Sequence, residues 1–461
     1  MTGNTSNTLL TDLYQLTMAE SYFRQNMNQP ATFSLFVRRL PVHRGYLVSA
    51  GLADTVEFLT SMRFSKEDIS FLDSTRRFSD DFLDYLGHFH FSGEVWAIPE
   101  GKIYFADEPM IEVTAPLIES QIVETFILNQ MSFQSLIASK AARCVSVSGD
   151  RDCIDFALRR THGIDAGMKV ARSSYLSGFE STSNVLAGKE YGIPLAGTMA
   201  HSYIASFPTE LDAFRAYAQS YPDSCVLLID TYDTIDGARN AAVIGREMEA
   251  QGHHLRAVRL DSGDLIGLSY QVREILDEAD LRPVRIIASG SLDEFEAEKI
   301  AVDGAPIDGL GIGTKMGVSG DAPWLDTVYK LVMYDGRPIL KLSEGKGTLA
   351  GEKQVFRTMD IHGKFGGDVI GIRGELPGEG EDLLLEQIMA KGVLTGLLPT
   401  LGEIRDRFKT ELAKLPDPCK LLTSPTTYPV TLSERLTNLQ EQILRNIREV
   451  SFPRGSNLTE N

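Results

Sequence analysis

The sequence predicts an α/β protein built on a β/α barrel, preceded by an N-terminal α+β domain and followed by a C-terminal cap. Three observations predict this. The chain has 461 residues, more than one core needs at about 150 residues per domain. From about residue 153 onward, short apolar strands alternate with helical stretches, the grammar of βα units. Candidate strand ends also recur at even spacing. Asp230 to Asp261 is 31 residues and Asp261 to Gly290 is 29, each about one βα unit. The predicted boundaries are 1–145 for the N-terminal domain, 146–335 for the barrel and 336–461 for the cap.

Composition limits the function classes. Hydrophobic residues make up 43% and charged residues 23%, with no low-complexity tract, which predicts an ordered chain. The net charge of −18 repels polyanions and argues against broad nucleic-acid or anionic-membrane binding, while a small anion needs only a local positive pocket. The start, MTGNTSNTLLTDLY, lacks the basic and apolar regions of a signal peptide, and no apolar run approaches the ~20 residues of a membrane span. A cytoplasmic location is expected. Cys144, Cys153, Cys225 and Cys419 form no CxxC pair, so they are read as buried small hydrophobes rather than disulfides or a zinc site.

In chain order, LLTDLYQLTMAESYF (9–23) repeats apolar residues at helical spacing, and FSLFVRRLP (33–41) reads as a strand. Residues 92–116 carry short strands broken by Pro and Gly, and 117–144 read as one long helix. The barrel strands are sought in CIDFALRR (153–160), FESTSN (179–184), IPLAG (193–197), CVLLID (225–230), LRAVRLD (255–261), VRIIASG (284–290) and IDGLGIGT (307–314). Seven such units fit a closed or nearly closed barrel better than an open sheet, though periodicity alone leaves a doubly wound sheet open. Beyond about 336 the repeat stops. RPILKLS and GDVIGIRGE read as short strands, and residues 432–450 as an amphipathic helix.

In either fold, chemistry gathers at the C-terminal ends of the strands. Those ends carry Arg159-Arg160, Gly197-Thr198 with His201, Asp230 and Asp233, Arg259-Leu260-Asp261-Ser262-Gly263-Asp264, Ser289-Gly290-Ser291 and Gly311-Ile312-Gly313-Thr314-Lys315. GIGTK has the character of a phosphate cradle, since glycine lets backbone N–H groups approach an anion; equally, Gly-rich turns occur without ligands. Ser291 could instead cap the next helix in a box with Glu294. Two such loops on the last barrel strands match the usual phosphate position. Asp230, Asp233, Asp261 and Asp264 are carboxylates for Mg²⁺ on a diphosphate or for ribose hydroxyls; for Asp233, Asp236 and Asp264 helix capping is an equal reading. Arg159 and Arg259, at the ends of apolar strands, need anionic partners, from the protein or from a substrate. A histidine beside a helix start is more often structural, yet the titration range of His201 suits a nucleophile or acid/base.

The motifs TDLYQLTMAESYF, FVRRLP, DFALRRTHG, AGTMAHSYI, VRLDSGDL, ASGSLDE and GIGTK, in this order from residue 11 to 315, closely resemble those of the nicotinate phosphoribosyltransferases. The resemblance covers most of the chain. It implies a type II phosphoribosyltransferase with an irregular barrel, dimeric, with active sites between subunits. The implied substrates are nicotinate, 5-phosphoribosyl 1-diphosphate and ATP, and the products nicotinate mononucleotide and diphosphate, in NAD salvage. His201 matches the family histidine that ATP phosphorylates, and Arg259 and Asp261 join it as the catalytic set. Tyr14 is implied to stack on the pyridine ring from the neighbouring subunit, with Phe156 on the opposite face. Thr198 and Arg259 are implied to contact nicotinate or the reacting end of the donor. Ser289, Gly290, Gly313 and Thr314 are implied for the 5-phosphate, and Arg159 or Arg160 as an anion contact. Mg²⁺ is implied by the diphosphate, since no motif here specifies a metal ligand. Nicotinamide-specific relatives carry an aspartate directly after the Gly-Thr, where this chain has Met199; a carboxylate there would accept from an amide and repel an acid, so its absence favours nicotinate. The alternatives are a nicotinamide phosphoribosyltransferase and, in another class, a non-catalytic nucleotide sensor on the same scaffold.

Overall fold

A computed structural model describes residues 7–341 and 347–451. The chain forms two compact units. One combines the chain up to Ser135 with Trp324–Thr400 and the segment from Thr410 onward; the other combines Leu136–Pro323 with Leu401–Lys409.

The second unit holds the alternating strands. They are β1 (Asp152–Asp155), β2 (Ser181–Thr182), β3 (Val226–Leu228), β4 (Ala257–Leu260), β5 (Arg285–Ser289) and β6 (Gly309–Ile312), all parallel, in the order β2-β1-β6-β5-β4-β3. One face is fully enclosed, with Val258, Leu260, Ile286, Ala288, Leu310 and Ile312 all sealed from solvent; on the other, Leu228, Ala257 and Ser289 are buried while Arg259 and Ile287 are partly exposed, close to the double-sided burial expected of a parallel sheet. IPLAG does not become a seventh strand. Only Leu195 joins, as a single bridge beside Thr182. Pro194 has no N–H to give a ladder, and the chain enters through Gly192 at φ +69°. Among the described residues the hydrogen-bonded barrel therefore stays open between Leu195 and β3.

Two further differences are local. CIDFALRR stops being a strand at Asp155, whose Oδ1 accepts from the Ala157 N–H at 2.8 Å and turns the chain into a 3₁₀ segment, Leu158–Arg160. The helix Glu294–Val302 is capped by Asp293, which accepts from Phe295 and Glu296 N–H at 3.0 and 3.1 Å, and not by Ser291. Asp233 and Asp264 do cap the helices Thr234–Ala250 and Leu265–Glu278, so those carboxylates are spent on backbone N–H groups. Asp236 lies inside the first of these helices and pairs with Arg239 at 2.8 Å.

The first unit is built on a seven-stranded sheet in the order Arg337–Pro338, Thr327–Tyr334, Pro30–Val37, Pro109–Pro116, Glu94–Ala97, Glu386–Ala390, Val393–Leu394. Every pairing in it is antiparallel. Pro30–Val37 is an interior strand, paired on both sides, and buried from Ala31 to Val37, as its apolar run predicts. A four-stranded sheet follows the order Asp382–Leu383, Lys353–Met359, Phe365–Ile372, Val430–Leu432. The predicted first helix is a 3₁₀ turn, Asn7–Leu9, and then Leu13–Arg24; the predicted long helix is two, Leu117–Ile122 and Glu124–Val147. GDVIGIRGE lies on Phe365–Ile372, and the final amphipathic helix on Glu434–Ser451. RPILKLS supplies only Arg337–Pro338 as strand, and its last two residues lie outside the described residues. All four cysteines are buried free thiols.

Candidate active site

The parallel strands deliver their chemistry at one end. Arg259 is the penultimate residue of β4 and Asp261 follows the strand; Ser289 ends β5. Asp230 follows β3 by two residues and Thr314 follows β6 by two. His201 opens the short helix His201–Ala205 after the Leu195 bridge.

Asp261 is the hub. Ser289 Oγ donates to its Oδ1 at 2.5 Å, and its backbone N–H donates to Asp230 Oδ2 at 3.1 Å. Ser262 Oγ gives that same Asp230 oxygen a second hydrogen bond at 2.6 Å, while Asp230 Oδ1 is buried with no donor among the described residues. Across the opening in the sheet, His201 Nε2 lies 3.8 Å from Asp261 Oδ2. Its Nδ1 is 3.1 Å from Thr231 Oγ1, which occupies one ring nitrogen and orients the imidazole. The His201 side chain is 45% exposed.

Arg259 spans the same opening. Its Nη1 donates to Thr198 Oγ1, and Thr198 Oγ1 in turn donates to the Met199 carbonyl at 3.2 Å. The guanidinium stands 6.0 Å from the centre of the Phe156 ring, and its Nε is buried without an acceptor. Burial holds its pKa below the usual arginine value, against the pull of Asp261 and Asp230, and the Arg159 charge lowers it further. Arg259 is thus a half-buried cation with an idle donor and no ion pair among the described residues.

The two glycine loops have packing reasons beside any ligand role. A Cβ at Gly290, where φ is +93°, would stand 1.9 Å from the Asp261 carbonyl. A Cβ at Gly311 would stand 2.6 Å from the Phe156 ring, and one at Gly313 would stand 3.0 Å from the Phe156 carbonyl. Thus Gly311 leaves room for the Phe156 ring and Gly313 for the Phe156 carbonyl. Thr314 is exposed at the start of the four-residue helix Thr314–Gly317. Lys315 of GIGTK is spent on Asp293 at 2.7 Å. Burial pushes the Asp293 carboxyl up, but the Lys315 hydrogen bond and charge together with the Glu296 N–H bring it below its ordinary value.

The structure thus gathers His201, Thr198, Arg259, Asp261, Ser289, Gly290 and Phe156 around one end of the second unit, with Gly313 and Thr314 beside Phe156. Arg159 and Arg160 are both exposed on the 3₁₀ segment, and it is Arg159 whose charge acts on Arg259. Tyr14 belongs to the other unit, on the helix Leu13–Arg24, and is 48% exposed. Two participants were missed from the sequence. Thr231, which engages His201, stands directly after Asp230, and that position at a strand end was its available signal. Asp155, fully enclosed, takes Thr182 Oγ1 at 2.7 Å on its second oxygen, and burial raises its pKa; it fixes the turn that presents Phe156. Among the described residues no group of three or more His, Cys, Asp or Glu could hold a metal ion.

Comparison with known proteins bears on this arrangement. Residues 9–132 match the model of the nicotinate phosphoribosyltransferase N-terminal domain, residues 152–347 that of the nicotinate phosphoribosyltransferase family and residues 379–440 that of its C-terminal domain. The chain is 47% identical to a nicotinate phosphoribosyltransferase of Mycobacterium tuberculosis over 93% of its own length and 92% of the relative's. It is 37% identical to that of Bacillus subtilis over 96% of both chains. Its fold superposes on the crystal structure of human nicotinic acid phosphoribosyltransferase with a TM-score of 0.86 at 31% identity, covering 94% of this chain and all of the other. This chain belongs to the nicotinate phosphoribosyltransferase family.

Proposed function

We propose that the chain carries out its family's reaction at the strand ends of the second unit, and that ATP hydrolysis is coupled to it through His201. The reaction joins nicotinate to 5-phosphoribosyl 1-diphosphate, giving nicotinate mononucleotide and diphosphate, a step of NAD salvage. The single observation that carries the site assignment is Arg259: a cation at a strand end, with a buried donor left idle, beside an aromatic face and across from an exposed histidine.

The chemistry follows from these groups. As diphosphate leaves, C1 of the ribose gains oxocarbenium character, and the pyridine nitrogen attacks it. A neutral pyridine nitrogen has no proton to lose, so the attack needs no general base. What the site must supply is alignment and charge. Phe156 offers one face to the ring, with Tyr14 of a neighbouring subunit as the other. Arg259 and Arg159 supply positive charge for the nicotinate carboxylate or the donor's phosphates, and Thr198 keeps Arg259 in place. Met199, buried in this fold, puts no carboxylate beside the ring. Ser289, Gly290, Gly313 and Thr314 offer hydroxyl and backbone donors to the 5-phosphate.

His201 accepts the γ-phosphoryl group of ATP, releasing ADP, and water later takes that group as inorganic phosphate. Thr231 holds Nδ1, and Asp261 faces Nε2, so the carboxylate can steady an imidazolium. Mg²⁺ would neutralise charge on the diphosphate. With no three-ligand cluster in the described chain, the ion would be held chiefly by phosphate oxygens, with the idle Asp230 Oδ1 and Asp261 as protein carboxylates. The proposed assembly is a homodimer and its setting cytoplasmic; no helix of the described residues is long and apolar enough to cross a membrane.

The test is mononucleotide formation with nicotinate or nicotinamide, each with and without ATP, while ADP is followed. Turnover with nicotinate, stimulated by ATP, is expected. A His201→Ala variant should retain nicotinate binding and lose ATP stimulation; undiminished stimulation would sink the phosphohistidine role, and preference for nicotinamide would sink the reading of Met199.

A further inference from the structure

Beneath the two phosphate loops lies a cluster of buried charges that the reaction does not use. Lys140 and Arg143, on the helix Glu124–Val147, are each 2% exposed at the side chain, and Glu294 is fully enclosed. Lys140 Nζ donates to Glu294 Oε2 and, at 2.7 Å, to Asp321 Oδ1. Arg143 Nε donates to Glu294 Oε1 at 3.0 Å. Glu294 stands three residues after Ser291, and Asp321 six after Lys315. A carboxylate within six residues after each loop is thus tied to the same ammonium. The loops are also tied to each other directly, by Lys315 to Asp293.

The Ser289–Ser291 loop needs such an anchor. It holds Gly290 at φ +93° and Ser291 at φ +56°, a conformation that side-chain-bearing residues rarely adopt and that surrounding contacts must enforce. Ser289 then reaches Asp261, the hub facing His201. A solvated surface ion pair would be a poor anchor, but Lys140, Arg143 and Glu294 are sealed from water and hold their geometry, because losing a partner within that core strands a buried charge.

We infer that Lys140 is a positioning residue for the donor: through Glu294 and Asp321 it sets the spacing of the Ser289–Ser291 and Gly313–Lys315 loops, and so the grip on the 5-phosphate of 5-phosphoribosyl 1-diphosphate. This rests on reading those loops as the phosphate contacts. Misplacement of binding groups by a fraction of an ångström to about 1 Å weakens a site by one to two orders of magnitude.

The experiment compares the full-length Lys140→Met, Lys140→Arg and Thr314→Ala variants by steady-state kinetics with each substrate varied. Lys140→Met is expected to raise KM for 5-phosphoribosyl 1-diphosphate by about tenfold or more while KM for nicotinate and kcat at saturating donor change by no more than about twofold. Lys140→Arg, which restores a cation, should recover most of that loss. A folded Lys140→Met with unchanged donor KM, or with both KM values raised alike, overturns the positioning role. Should Lys140→Met not fold, Asp321→Asn at the 29%-exposed rim of the cluster replaces it, with a smaller rise of about two- to threefold in donor KM alone; no such rise overturns the proposal. Thr314→Ala separates the two ideas. If it leaves donor KM unchanged, the loops are not the phosphate contacts and the proposal falls with that reading; if it raises donor KM while the cluster variants do not, only the positioning role falls.

Discussion

Each unit carries an arginine within a strand, and the two are satisfied to opposite degrees. Arg357, in the first unit, is 1% exposed and paired twice with Asp368, Nε to Oδ1 at 2.9 Å and Nη2 to Oδ2 at 2.6 Å. Its Nη1 donates to the Ile103 carbonyl at 2.9 Å, and the Phe365 ring lies 4.2 Å from the guanidinium. Burial alone would lower its pKa, but Asp368 more than reverses this. Among the described residues, the Arg259 guanidinium, in the second unit, has one hydrogen bond, to a neutral hydroxyl, and an idle Nε, and its pKa is lowered. The difference teaches what each cation is for. A charge whose donor atoms are met within the chain maintains the fold; one left partly unmet has capacity for a ligand, which is the role proposed for Arg259.

Several substitutions would break or sharpen that contrast. The largest effect is expected for Arg357→Met, which strands the buried Asp368 carboxylate: unfolding curves should show a loss of about 3–5 kcal/mol in the first unit. Little or no loss would erase the distinction. Arg259→Met should do the reverse, lowering kcat/KM by about 10²–10³-fold, as removal of one preorganised charge donor does, while stability stays within about 1 kcal/mol because no ion pair is broken. A large fall in stability there would make Arg259 a second structural arginine. Thr198→Val tests its support and should cost about 1.5–3 kcal/mol in kcat/KM, the worth of a hydrogen bond to a charged group; an unchanged rate would mean that Arg259 orients itself.

The smallest expected effect concerns Lys315. Asp293 has its pKa lowered in the folded chain, so its pairing stabilises above the unfolded carboxyl pKa of about 4 and is lost as pH falls through the lower folded value. Lys315→Met should therefore shift the acid limb of a stability profile slightly upward in pH and leave the neutral region changed by less than about 1 kcal/mol, since Lys315 is 47% exposed and screened by water. An unmoved acid limb would show that the helix N–H groups alone hold Asp293.

Much of the second unit was legible because its strands are short apolar runs at even spacing with polar residues at their ends. CVLLID, LRAVRLD, VRIIASG and IDGLGIGT each contain the strand read from them. IPLAG was read as a strand because its apolar pattern is correct; a proline without a donor reduces it to one bridge. The glycines of GIGTK were legible as permissive backbone, but that Gly311 makes room for the Phe156 ring and Gly313 for its carbonyl depends on a residue more than 150 positions earlier in the chain. Antiparallel pairing of Pro30–Val37 with Thr327–Tyr334 has no local signal at all, because a strand's pattern records which face is buried and not which strand lies beside it.

The sequence by itself determined the family, the alternation of strand and helix and the candidate chemistry of His201, Arg259 and Asp261, since these depend on residue type and on spacing along the chain. Only the tertiary structure decided which carboxylates are free. Asp233, Asp264 and Asp293 are spent on helix N–H groups and Lys315 on Asp293, whereas among the described residues Asp230 keeps a bare oxygen and Arg259 a bare donor, and the His201 side chain stays 45% exposed. The physical reason is that a polar group's availability is set by what its neighbours in space have already taken, and burial makes each such pairing or vacancy count.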